Sequence, residues 1–238
     1  MKKVAFLILA SFLFSAPMTY AGLLDDVMKT MGGSGRGGPD DSTVISGLKE
    51  ALSIGTDNAV KNVSQVDGYF GNQAIKILMP EKIQKVADIL KKIGYQKQVD
   101  DFVFSMNRAA EKAAPQAASI FVGAIKEMTF EDARKILNGG DTAATDFFKS
   151  KTHDKIYSAF KPIVSSNMDE VGVTHSYKEM MGKYETLPFM SKESVDLDHY
   201  VTNKAMDGLF YVVGQEEKKI RTNPAARVTD LLKTVFGK

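Results

Sequence analysis

Apolar residues recur at helical spacing along most of the chain from residue 41 onward. A typical run places Ile83, Val86 and Leu90 on one face, and similar runs follow as far as residue 235. No run alternates over enough positions to predict a sheet. The pattern therefore predicts an all-α fold, a compact multi-helix bundle of about nine or ten helices that forms a single domain over residues 41–238.

Capping residues indicate where several of these helices begin and end. The run 41–43, Asp-Ser-Thr, predicts the first start, and Thr129 and Thr152 predict two later ones. Gly94 is expected to end the helix that begins near residue 80, because glycine is the usual residue after a helix. Gly55 is expected to interrupt the first helix.

Residues 67–80 break the helical pattern. Tyr69 and Phe70 stand between two glycines and are candidates for contact with a ligand or partner, or for filling the core of the domain itself. After them, apolar residues occupy alternate positions: Ile75, Ile77 and Met79. This pattern predicts a loop followed by a short extended or irregular segment.

The first 21 residues have the pattern of a secretory signal peptide. Lys2 and Lys3 precede an apolar stretch at 4–16, which is shorter than the roughly 20 residues that a membrane-spanning helix needs. Thr19 and Ala21 form a cleavage site of small residues. The sequence predicts cleavage after Ala21, export to the periplasm, and no transmembrane span afterwards.

The next stretch, residues 22–40, predicts a short amphipathic segment at 22–31 followed by a flexible Gly-rich linker, GGSGRGGP, at 32–39. It forms an N-terminal tether to the helical domain. Its two interpretations are a loose tail and a docking segment for a partner or membrane.

Charge and composition exclude several functions. Two of the 31 basic residues lie in the signal peptide, so 29 basic residues face 29 acidic ones after cleavage. A chain without net charge does not predict a nucleic-acid partner. The absence of cysteine excludes disulfides, thiolate zinc sites and cysteine nucleophiles. No hydrolase or zinc-peptidase motif is present.

Six strings of the sequence together resemble one family. They are GLKEALSIGTDNAV at 47–60, DGYFGNQAIKILMPE at 67–81, MNRAAEKAAP at 106–115, MTFEDARKIL at 128–137, DTAATDFF at 141–148 and DLDHYVTNKAMDGLFYVVGQEEKKIRTNPAARVTDLLKTVFG at 196–237. The chain resembles the exported bacterial family catalogued as domain of unknown function 4197. The resemblance implies an exported, all-helical domain and supplies no catalytic residues.

One stripe of polar residues suggests a divalent metal. Asp196, His199, Asn203 and Asp207 follow one another at steps of three, four and four, so they share a helix face, and Asp198 adds a further carboxylate. The alternative is the solvated outer face of an amphipathic helix, with Asp196 as its cap.

Two further groups are candidates for a binding site or a polar network. Glu217 and Arg221 stand four residues apart, the favourable spacing for an ion pair, either as a charged knob for a partner or as an interhelical corner. Asn107, Arg108 and Glu111 lie at the edge of an apolar face. They are candidates for a buried polar network, a pocket with Glu111 as general base, or a local ion pair.

These observations favour an exported, periplasmic, non-catalytic binding or interaction protein without a cofactor. Its expected partner is an unknown protein or a hydrophobic small molecule. One alternative is a metal-binding protein or metal-dependent enzyme that uses the stripe of Asp196, His199 and Asp207. Another is a structural envelope protein that docks through residues 22–31, with peripheral membrane contact.

Overall fold

The computed structural model describes residues 40–170, 177–179, 181–182, 195–231 and 233, and every regular element in these ranges is helical. Seven α-helices are described from end to end: α1 (Asp41–Ser64), α2 (Glu81–Lys92), α3 (Gln96–Ala113), α4 (Ala117–Glu127), α5 (Phe130–Asn138), α6 (Ala143–Glu170) and α7 (Leu197–Thr222). Short 3₁₀ turns occupy Ala114–Gln116 and Pro224–Ala226. The predicted all-α class is confirmed.

The predicted count of nine or ten helices is wrong for the described part of the chain, which contains seven. Two helices predicted around residues 141–148 and 152–172 are one continuous helix, α6. Thr152 is buried inside it and donates its hydroxyl to the carbonyl oxygen of Phe148 at 2.6 Å. A threonine that bonds one turn back in this way sits within a helix and does not cap one.

Several predictions fall on residues that the structure does not describe. The signal peptide at 1–21, the amphipathic segment at 22–31 and the linker at 32–39 all lie outside the described residues. Most of a helix predicted at 174–184 and the end of the last one do so as well. Within the described ranges, no helix combines the length and apolar character needed to cross a membrane.

Helix ends follow the capping residues closely. α1 begins one residue earlier than predicted, because Asp40 accepts from the Thr43 amide at 2.8 Å. Thr129 caps α5 and forms a reciprocal capping box with Asp132. Gly94 has φ 98° just after α2, the left-handed conformation that glycine adopts without strain.

The core of the domain lies where α7 packs against α1, α3 and α6. The largest fully buried side chains in these helices and α4 include Phe102, Phe121, Phe148 and Phe160. The connection between α1 and α2, residues 65–80, adds Tyr69, Ile75, Ile77 and Met79 to the same core. This connection is therefore part of the folded interior rather than a loop that runs over its surface.

Gly55 does not interrupt α1, contrary to the prediction. It is buried where α1 approaches α7, and an added Cβ would lie 3.5 Å from the Ile220 Cδ1 atom. That distance is an ordinary van der Waals contact, so the site tolerates a methyl group. Gly208 in α7 differs, because an added Cβ there would lie 2.6 Å from the Tyr69 Cε1 atom.

We expect Gly55→Ala and Gly208→Ala to change stability in opposite directions. The first should raise the free energy of unfolding by about 0.5–1 kcal/mol, because alanine is the better helix former and fits. The second should lower it by about 1–3 kcal/mol, because the methyl group must displace Tyr69. Urea unfolding followed by circular dichroism measures both. Shifts of the same sign would contradict this packing.

Candidate functional site

The connection between α1 and α2 enters the core through a tight turn. Asp67 adopts a left-handed conformation with φ 66°, which aspartate tolerates better than most residues. At Gly68 an added Cβ would lie 2.6 Å from the carbonyl oxygens of both Asn62 and Val63. Only glycine fits there, and the turn directs the next residue, Tyr69, into the interior.

Tyr69 is fully buried and ties the loop to α7. Its hydroxyl donates to the carbonyl oxygen of Ala205 at 2.6 Å. Burial raises the pKa of the Tyr69 hydroxyl, and the nearby charge of Glu111 raises it further, so the hydroxyl stays protonated as a donor. Of the two roles predicted for this aromatic residue, Tyr69 takes the one that fills the core.

Glu111 of α3 holds the backbone of the same loop. Its Oε1 atom accepts from the amides of Tyr69 at 3.0 Å and Phe70 at 3.2 Å, and its Oε2 atom from Arg108 at 2.5 Å. Arg108 also contacts Asp67 at 2.8 Å. Burial lowers the pKa of Arg108, but the hydrogen bonds and charges of Glu111 and Asp67 outweigh it and raise that pKa.

Asn107, which is fully buried, completes this network. Its Oδ1 atom accepts from the Ile77 amide at 2.8 Å, and its Nδ2 atom donates to the carbonyl oxygens of Ile77 at 2.8 Å and Val103 at 2.7 Å. The side chain thus supplies partners for both the amide and the carbonyl group of Ile77, which lies outside any helix. Each oxygen of the buried Glu111 likewise accepts a hydrogen bond from the chain itself, so this carboxylate belongs to the hydrogen-bond network of the fold.

Glu217, like Glu111, is a buried carboxylate that accepts hydrogen bonds from the backbone of a distant segment. It accepts from the backbone amides of Ala144 and Thr145, each at 2.9 Å, and so caps the start of α6 from α7. Arg221 donates to Glu217 at 3.0 Å and to the carbonyl oxygen of Ile136 at 2.9 Å. This ion pair forms an interhelical corner between α5, α6 and α7.

The polar residues at the start of α7 form hydrogen bonds and ion contacts with neighbouring residues of the protein. Asp196 caps the helix by accepting from the His199 amide at 2.9 Å. The His199 ring lies 2.9 Å from the Tyr157 hydroxyl, and Asn203 donates to the His199 carbonyl oxygen. Asp207, at the far end of the stripe, lies 4.0 Å from Lys204.

No other described histidine or acidic side chain forms a metal-binding group with His199. Asp198 accepts a hydrogen bond from Ser165, His153 pairs with Asp154, and His175 lies outside the described residues. In the part of the chain that the structure describes, no group of three or more histidine and acidic side chains could hold a metal ion. The proposed metal stripe therefore gains no support from the geometry.

A small apolar cavity lies between α1, α5, α6 and α7. Its volume is about 30 Å³, and it is lined by Leu48, Ala51, Leu52, Gly55, Thr56, Ile136, Ala144, Phe148, Val213, Glu217, Ile220 and Arg221. Pockets for small molecules measure about 300–1,000 Å³. A hydrophobic ligand therefore finds no ready-made site here.

Aromatic and basic side chains meet on the surface above the Glu111 network. Phe70 and Phe104 pack edge to face with ring centroids 5.2 Å apart, and Phe104 is 38% exposed. Lys76 lies 3.9 Å above the Phe70 ring, and Arg108 lies 4.5 Å from the Phe104 centroid. Such cation–π contacts hold both charged groups over apolar surface.

This surface continues along the extended segment towards α7. Leu78 is 60% exposed and Tyr211 is 47% exposed, and both line one open groove. We call Phe70, Lys76, Leu78, Phe104 and Tyr211 together the loop face. Sequence reasoning selected only Phe70 among them. The available signal was the alternation at 75–79, which leaves Leu78 as an apolar residue on the outward side.

The chain matches the model of a protein family over residues 38–237, and all described residues lie within that match. The description of the family is "Protein of unknown function (DUF4197)". The chain belongs to this family. The resemblance seen in the six sequence strings is thereby confirmed. No curated protein and no solved structure matches the chain.

For this DUF4197 chain we expect Glu111→Ala to lower the free energy of unfolding by about 3–5 kcal/mol. The change leaves Arg108 without its buried partner and two loop amides without an acceptor. Urea unfolding measures the effect.

The matched control is Glu131→Ala. Glu131 is an exposed carboxylate that pairs with Lys135 at 2.8 Å, and its loss should change stability by less than about 1 kcal/mol. Equal effects of the two substitutions would mean that Glu111 does not hold the loop.

Proposed function

We propose that this protein is an exported, non-catalytic interaction protein that works in the periplasm. The pattern of residues 1–21 supports export, since two lysines precede an apolar stretch and a cleavage site of small residues. The cysteine-free sequence suits an oxidising compartment, where no thiol is then at risk of oxidation.

The loop face is the observation that carries a binding role. It combines aromatic and aliphatic side chains that stay exposed while the loop beneath them is fixed by buried hydrogen bonds. Aromatic residues and arginine are enriched at the centres of protein–protein interfaces, and Arg108 lies beside the ring of Phe104. A surface that is already rigid loses little conformational entropy when a partner binds.

The buried polar residues favour binding over catalysis. Asn107, Glu111 and Glu217 are the polar groups most enclosed by the fold among the sequence candidates, and backbone amides occupy all three. The two grooves at the loop face measure about 440 and 420 Å³, whereas the cavity between α1, α5, α6 and α7 holds only about 30 Å³. Both grooves flank the exposed Leu78, so a partner surface that contacts Leu78 also reaches both of them.

We expect cell fractionation to find the mature chain in the periplasm with Gly22 as its first residue. Ala21→Leu should block cleavage, because a signal peptidase needs a small side chain at that position. The control Tyr20→Leu changes the tolerant neighbouring position and should be processed normally. Intact-mass measurement distinguishes precursor from product. An unprocessed chain in the cytoplasm of unmodified cells would refute export.

We expect a photo-crosslinking amino acid at position 104 to trap a discrete adduct in intact cells. The control is position 122 on α4, because Val122 is 42% exposed, close to the 38% of Phe104, but is not one of the residues of the loop face. Denaturing gels and mass spectrometry identify the adduct. Equal adducts from both positions, or none from position 104, would argue against a binding role for the loop face.

A further inference from the structure

The extended segment presents an apolar knob to solvent. Side chains alternate between the two sides of an extended chain, and here Ile75, Ile77 and Met79 are buried. Leu78 therefore belongs to the outward row, where a polar residue is the usual choice. It is 60% exposed, although Tyr200 donates to its carbonyl oxygen at 3.0 Å and holds its backbone in place.

A groove lies on each side of this knob. The groove towards α2 and α3 has a volume of about 440 Å³ and includes Phe70 and Val103 in its lining. The groove towards α7 has a volume of about 420 Å³ and is lined in part by Tyr200 and Tyr211. Both grooves share Lys76, Leu78 and Met79. A knob directly beside a hollow is a surface that can fit a rotated copy of itself.

The charges in the groove towards α7 have the same self-complementary character. Lys76 and Glu81 both line it, and within the described ranges neither has an oppositely charged side chain within 4.0 Å. Lys204 and Asp207, also in the lining, add one further charge of each sign. A groove with balanced charges does not select a purely anionic or cationic ligand, but it can pair twice with a second copy.

We propose that the loop face binds a second copy of this chain in a two-fold symmetric contact. Leu78 of each protomer enters the groove of its partner, and Lys76 of one protomer pairs with Glu81 of the other. The inference rests on the proposed interaction function and names the partner. The balance of 29 acidic and 29 basic residues expected after signal cleavage leaves no long-range repulsion between two copies.

Sedimentation velocity of the protein purified from its own host tests the contact. Between about 1 µM and about 100 µM the mass should approach twice that of the chain. Leu78→Asp should weaken association at least about tenfold, because it places a charge at the centre of an apolar contact. Urea unfolding at a concentration where both proteins are monomeric should be unchanged for this variant, since Leu78 is exposed in the monomer. Val122→Asp on α4 is the matched control and should still dimerise.

A charge exchange tests the pairing itself. Lys76→Glu should weaken the dimer, and Lys76→Glu combined with Glu81→Lys should restore it, because the symmetric contact then regains both ion pairs. A monomer throughout this concentration range overturns the proposal, and so does a dimer that Leu78→Asp leaves intact. If the chain is monomeric but position 104 still traps a different protein, the inference fails while the proposed function stands.

Discussion

The rest of the structure depends on the buried carboxylate of Glu111. A connection that enters a helical core carries amides without helix partners, and each buried donor left unpaired costs about 1–3 kcal/mol. Glu111 accepts from two of these amides, and its own charge is balanced by Arg108. The loop can therefore bury Tyr69, which reaches α7 and joins three separate parts of the chain.

The same device recurs at the far end of α7. Glu217 accepts from two amides at the start of α6 and is paired with an arginine on its own helix, as Glu111 is. Each glutamate combines a buried carboxylate, a neighbouring guanidinium and a pair of backbone donors from a distant segment. Residue types that suggest catalysis in a sequence thus serve the fold here, because helix starts and irregular loops need acceptors inside the core.

An anchored loop has a consequence for the surface above it. The side chains that alternate with the buried row point outward, so a loop fixed on its inner side presents Phe70, Lys76 and Leu78 in set positions. Hydrogen bonds to the loop backbone beneath these side chains hold them in position without a partner.

The sequence by itself determined the all-α class, the family and most helix ends. These features depend on local signals: apolar spacing, the box of Thr129 and Asp132, and the glycine after α2. Local signals failed at Thr152, because a threonine that caps a helix and one that bonds within it look alike in a sequence. They failed at Gly55 as well, because one glycine inside a long helix costs only about 1 kcal/mol, which the packing of α1 against α7 outweighs.

Only the tertiary structure decided which polar residues meet. Glu111 binds amides 41 and 42 residues earlier in the chain, and Glu217 binds amides 72 and 73 residues earlier. The spacing of Asn107, Arg108 and Glu111 showed that they share one side of a helix, but not which backbone lies opposite. Periodicity describes one element at a time, whereas these contacts follow from how separate elements pack around a common core.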